Sequence, residues 1–149
     1  MIKSVVELLG NGVFEMAYSR NKLQELTVFC IYQYLFYYSS DTKPSIGDII
    51  ESVFDCSVKE CDPFVKKVFK DAIKNADESI KEISKYLTEW TFDRLNLLEQ
   101  AILLSSYTQF KYMEQPKQVV INVAVELSKK YCDEASYKFI NGVLDSCLC

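Results

Sequence analysis

The sequence predicts an all-α protein: a compact helical bundle of two packed helical sub-bundles joined by a long middle helix. Three observations carry this. Only 4 Gly and 3 Pro punctuate 149 residues, too few turn residues for a fold of many short strands. Apolar residues recur every three to four positions through most of the chain, the period of a helix with one buried face. No stretch alternates apolar and polar with period two, as a half-buried strand would. At 49% hydrophobic and 26% charged residues, a chain of this length is globular and builds a real core.

Residues 1–18 read as an N-terminal extension and residues 19–149 as the helical domain. In the extension, Ile2, Val5, Val6, Leu8 and Leu9 suit a short amphipathic helix ended by Gly10-Asn11-Gly12. Ser19 is the N-cap of a helix running to about Tyr38, with Leu23, Leu26, Cys30 and Tyr34 at helical spacing. From Val28 on, this helix is apolar on nearly all faces, which marks it as central. Ser39 to Ser45 form a loop, and Ser45 caps a second helix carrying Ile46, Ile49, Ile50, Val53 and Phe54. Asp62-Pro63 is a strong helix start, a capping carboxylate followed by proline at the first helical position. One apolar stripe then runs from Val65 through Val68, Phe69, Ala72, Ile73, Ala76, Ile80 and Ile83 to Leu87, the long middle helix. Lys66, Lys67, Lys70, Lys74, Lys81 and Lys85 on its other side read as a solvated face balanced by Asp71, Asp77, Glu78 and Glu82. After a connection holding Trp90, helices follow from about Arg94 to Phe110, from Gln115-Pro116 to about Cys132, and from about Ser136 to the end.

The composition excludes much chemistry. With no histidine there is no Ser-His-Asp triad, Cys-His pair or HExxH zinc site, and no glycine-rich phosphate loop appears. The six cysteines, Cys30, Cys56, Cys61, Cys132, Cys147 and Cys149, contain no CxxC pair. They read as reduced thiols, with no metal and no cofactor expected. No segment reaches the ~18–20 apolar residues that cross a bilayer, and Glu7 interrupts the only leader-like stretch, so the expected compartment is the cytoplasm. The net charge of −4 argues against a generic polyanion binder. Any nucleic acid must be met by a local basic patch or with a basic partner.

The second half carries the informative pattern. Trp90, Asp93-Arg94-Leu95, Glu99 and Ala101-Ile102-Leu103 come first. Pro116, Val119, Ile121-Asn122, Ala124-Val125-Glu126-Leu127, Lys129 and Tyr131 follow, and then Lys138-Phe139-Ile140-Asn141-Gly142-Val143-Leu144-Asp145. In order and spacing this set resembles the NusB family, over about Leu23 to Asp145. Gly142 inside a helix costs about 1 kcal/mol relative to alanine, which helix packing or the close approach of a ligand would explain equally well. The chain departs from the family pattern at the thinner basic N-terminal segment, at Leu104 where an arginine is usual after Ile102-Leu103, at Thr108-Gln109 in place of Tyr-Glu, and at Val123.

The resemblance implies a non-enzymatic transcription antitermination factor that binds boxA-type RNA together with NusE, a ribosomal protein. Such a factor works within the RNA polymerase antitermination complex and supports transcription of ribosomal RNA operons. By the same resemblance, RNA-binding residues are Arg20, Lys22, Lys138 and Phe139, and partner-binding residues are Tyr32 and Glu99, with Arg20, Lys22 and Tyr32 on one continuous helical face. A homodimer is the self-association this reading leaves open. The alternative is a diverged NusB-like protein-interaction domain with little RNA binding.

Overall fold

The computed structural model describes residues 18–149, so the helix read from Ile2 to Leu9 lies outside the described residues. Seven α-helices follow in order: α1 (Arg20–Ser39), α2 (Ile46–Phe54), α3 (Pro63–Lys74), α4 (Ala76–Ser84), α5 (Leu97–Met113), α6 (Lys117–Tyr131) and α7 (Glu134–Cys147). A single 3-10 turn, Phe92–Arg94, precedes α5. No strand occurs among the described residues. Three of the starts are capped as the sequence dictates. Ser19 Oγ accepts from Lys22 N, Ser45 Oγ accepts from Asp48 N, and Asp62 accepts from Phe64 N ahead of Pro63.

The long middle helix is two helices. Asn75 breaks it with φ −103° and ψ 15°. Its side-chain Nδ2 donates to Asp71 O at 3.0 Å, and its own N–H also reaches Asp71 O. An asparagine that bonds the preceding backbone competes with helical continuation. The apolar stripe resumes in α4, because Ser79 N donates to Asn75 O and starts the new turn. Periodicity alone does not register such a break.

The central helix is α5 rather than α1. Every residue from Gln100 to Gln109 is buried, and α5 packs against α1, α3, α4, α6 and α7. In α1, burial is concentrated between Leu23 and Ile31. Beyond it Phe36, Tyr37 and Tyr38 stand exposed, Tyr38 by 67%. Aromatic bulk reads as core in sequence, yet this end of α1 projects past the elements that would cover it.

The groups α1–α3 and α4–α7 share one core. Leu26, Ile31, Phe69, Ile83, Ile102, Leu103, Ile140 and Leu144 belong to a single buried cluster. Polar groups inside it are mostly paired. Gln24 and Gln109 exchange two amide hydrogen bonds of 2.8 and 2.7 Å across the α1–α5 contact, and Gln109 Nε2 also donates to Ser105 Oγ. Paired in this way, two amides sit in the interior without the cost of a lone buried donor, about 1–3 kcal/mol each.

Candidate functional site

Helical geometry puts Lys22, Glu25, Phe29, Tyr32 and Phe36 on one face of α1, at alternating spacings of three and four. This face meets the end of α6 and the start of α7. At its N-terminal part Glu25 is almost fully buried. Its carboxylate accepts from Lys22 Nζ at 3.4 Å, from Lys130 Nζ at 3.0 Å and from the Tyr131 hydroxyl. Further along, Phe29 packs edge-on against the Tyr131 ring, with centroids 5.2 Å apart. Beyond that lies a groove of about 530 Å³. It is lined by Phe29, Tyr32 and Phe36 of α1, Leu97 and Leu98 of α5, and Tyr131 and Ser136 from the α6–α7 corner.

Burial would push the Glu25 carboxyl up. The hydrogen bonds from Tyr131 and Lys130, with the nearby Lys22 charge, outweigh it and hold the group below its ordinary value of 4.5. A carboxyl lowered in the folded state contributes stability above its unfolded pKa and loses it as pH falls through the folded value. Wild type is therefore expected to melt at a higher temperature than Glu25→Gln at pH 7. The gap should close as pH drops below about 4.5. A gap that stays constant from pH 7 to pH 3 in thermal denaturation would remove Glu25 as the charged anchor of this cluster.

The structure distributes the sequence-predicted residues over more than one surface. Arg20 and Lys22 do not share a face. The Arg20 guanidinium lies 4.1 Å above the Phe64 ring of α3, whereas Lys22 points to Glu25 and α6. Two residues apart on a helix means about 200° of rotation, so the continuous face holds Lys22 and Tyr32 but not Arg20. Both cations sit at the N-terminus of α1, where the helix dipole disfavours positive charge by about 0.3–1 kcal/mol each. Helix stability does not account for them.

Lys138 is exposed and pairs with Glu134 at 3.0 Å. Phe139 is only partly accessible and packs on the core. Tyr32 lines the groove. Glu99 meets the groove through its lining residues Asn96 and Ser136 and is committed structurally. One oxygen accepts from Asn96 N at 3.2 Å in a capping box for α5, and the other accepts from Ser136 Oγ. The Asn96-x-x-Glu99 spacing is a readable helix-start signal, and it sets the start of α5 at Leu97 rather than near Arg94, where apolar periodicity alone puts it.

Glu25 and Lys130 stand outside every motif legible in the sequence, and Tyr131, part of the family-like pattern, shows no link to Glu25 there. The dipeptide Lys129-Lys130 was the available signal, but only the packing of α6 on α1 joins it to Glu25. Lys129 Nζ sits 5.2 Å from the Tyr137 ring of α7, while Lys138 on that helix pairs with Glu134. Gly142 is exposed, and a Cβ there would meet nothing within 4 Å. Helix packing therefore does not require this glycine. Leu104, Thr108 and Gln109 are all buried, so those departures alter the core and leave the surface charge untouched. Among the described residues, no group of three or more Cys, Asp or Glu side chains is placed to hold a metal ion. No helix there is long and apolar enough to cross a membrane.

A cation cluster beside an aromatic groove, on a scaffold that is helical throughout the described residues, defines a small α-helical binding protein. The chain belongs to the NusB family, whose model matches residues 20–148. The transcription antitermination protein NusB of Clostridium botulinum (strain Alaska E43 / Type E3) is 36% identical over 112 residues, covering 74% of this chain and 84% of that protein. That of Lactococcus lactis subsp. lactis (strain IL1403) is 50% identical over 80 residues, covering 52% of this chain; the match spans only 42% of the relative's length. Among solved structures, T. maritima NusB superposes with a TM-score of 0.73 at 25% identity, covering 89% of this chain and 92% of that one. A chain in the crystal structure of antitermination factors NusB and NusE in complex with dsRNA has the same fold, with a TM-score of 0.73 at 23% identity, covering 87% of this chain and 95% of that one.

Proposed function

We propose that this protein is a transcription antitermination factor that binds boxA-type RNA together with NusE, as part of an RNA polymerase antitermination complex serving ribosomal RNA operons. The observation that carries this reading is the single face of α1 on which Lys22 and Glu25 give way to Phe29, Tyr32 and Phe36. The charged end, with Lys130, suits a phosphate backbone. The aromatic groove suits a protein side chain or helix. Family membership and the NusB–NusE complex with RNA among the structural neighbours support the pairing of the two ligands. Lys138 and Phe139 extend the RNA side onto α7, Arg20 extends it toward α3, and Tyr32 and Glu99 belong to the NusE side. The exposed Gly142 leaves room for a backbone to approach.

A net charge of −4 makes RNA binding weak for the protein alone and stronger with NusE, whose basic surface shares the phosphates. Titrating boxA RNA with and without NusE is the test, with NusE's own RNA binding subtracted. Affinity is expected to rise with NusE and to fall with salt, by a slope of roughly −0.7 per neutralised phosphate on a single strand. Equal affinity in both arms removes cooperation. NusE binding with no RNA binding in either arm identifies a protein-interaction domain instead.

A further inference from the structure

We infer that Lys130 is an RNA-contacting residue. With Lys22 it forms a two-ammonium seat for one backbone phosphate, held from beneath by the Glu25 carboxylate and the Tyr131 hydroxyl. This rests on the RNA-binding reading above and adds to it a site contributed by α6.

The geometry is that of an anchored cation pair. Lys22 Nζ and Lys130 Nζ lie 3.4 and 3.0 Å from the two oxygens of one carboxylate. The Glu25 side chain is 9% exposed, while those of Lys22 and Lys130 are 41% and 58% exposed. The anion is therefore inside and both cations are at the rim. An ammonium has three donors, so each keeps donors for a ligand after bonding Glu25. Two cations against one anion leave the rim positive, and Lys129 stands next in sequence. The hydrogen bonds to Glu25 and Tyr131 hold the Lys130 pKa above its ordinary value, so it stays charged wherever RNA is bound. Both side chains are fixed before a ligand arrives, which lowers the entropy lost on binding.

Helix energetics explain only half of this. The α6 dipole favours cations in its last turn, where Lys129 and Lys130 lie. The α1 dipole disfavours Lys22 at its first turn, and its i,i+3 pair with Glu25 offsets only part of that cost. A phosphate bridging the two ammonium groups accounts for the convergence. A purely structural staple between α6 and α1 needs only Lys130, Tyr131 and Glu25.

The test is a titration of boxA-bearing single-stranded RNA in the presence of constant NusE, over about 50–200 mM salt. It compares wild type, Lys130→Gln and Lys22→Gln with Lys81→Gln, which removes the same charge from an exposed position on α4. Lys130→Gln is expected to weaken binding about tenfold, the scale of one charge-assisted hydrogen bond. It should also lower the magnitude of the salt slope by about 0.7. Lys22→Gln should do the same, and Lys81→Gln should stay within about twofold. Melting temperatures are measured alongside. If Lys130→Gln matches Lys81→Gln in RNA binding while Lys22→Gln is weakened, the seat is overturned and RNA binding itself stands. A lowered melting temperature with unchanged RNA binding reduces Lys130 to the staple and overturns the inference equally. If wild type with NusE binds no RNA beyond NusE alone, the functional reading fails and the inference with it.

Discussion

Leu104→Arg, which restores the residue usual in the family after Ile102-Leu103, is expected to destabilise this chain by about 4 kcal/mol or more. Leu104 is 0% exposed at the centre of the ten-residue buried run of α5. An arginine there brings an ion into the buried core cluster. The effective penalty for an unpaired buried ion is several kcal/mol, and the added bulk in a packed core costs about 1–3 kcal/mol more. Against a total stability of roughly 5–15 kcal/mol, this leaves little of the native state. Urea denaturation should place the midpoint about 2 M or more below wild type, since slopes for small domains are about 1–3 kcal/mol per M. Leu104→Met, which conserves volume, should cost less than about 1.5 kcal/mol. An arginine variant with an unchanged midpoint would mean that the side chain at 104 reaches water and that α5 is not sealed on that side.

Much of the fold is legible in the sequence because its signals are local. Ser19, Ser45 and Asp62-Pro63 cap helices wherever they stand, and α2, α3 and α4 each keep one strongly apolar face. The failures have local causes too. The Asn75 break hides because the apolar stripe on either side stays in phase. The start of α5 is misplaced because Asn96 and Glu99 read as ordinary polar residues unless tested as a capping box. Assigning the hub to α1 fails for another reason. Aromatic content measures how much surface a side chain can bury, whereas the packing of five neighbouring helices decides where burial happens. The candidate site was less legible. A resemblance transfers residues one at a time, and it places Arg20 and Lys22 together because they are neighbours in sequence. The helix turns them apart, one to Phe64 and the other to Glu25. Glu25 and Lys130 carry no motif, Tyr131 enters only as one member of the family-like pattern, and more than a hundred residues of chain separate Glu25 from these two partners. Only the docking of α6 beside α1 creates the cluster.

Glu99→Lys is expected to weaken both the fold and NusE binding, and Glu99→Gln separates the two effects. The family resemblance gives Glu99 only a partner-binding role. The structure gives Glu99 two tasks, accepting from the Asn96 N–H in the α5 capping box and from the Ser136 hydroxyl of α7. A lysine has no acceptor for either donor, so stability should fall by about 1–3 kcal/mol. Glutamine keeps an acceptor and suits this position of a capping box, so Glu99→Gln should stay within about 1 kcal/mol of wild type. Binding is then compared at a temperature where all variants are folded, as judged by circular dichroism. Against a basic partner, the lysine variant meets like charge beside the groove that Tyr32 lines and should lose about 2 kcal/mol or more, roughly 30-fold in Kd. Glu99→Gln should lose less, because it removes attraction without adding repulsion. Tyr32→Ala, at a half-exposed position in the same groove, should lose a comparable amount of affinity with little change in melting temperature. Calorimetric titration with NusE on the three variants gives the answer. If folded Glu99→Lys and Tyr32→Ala both bind NusE as wild type does, the partner surface lies elsewhere on the bundle and the groove needs another occupant.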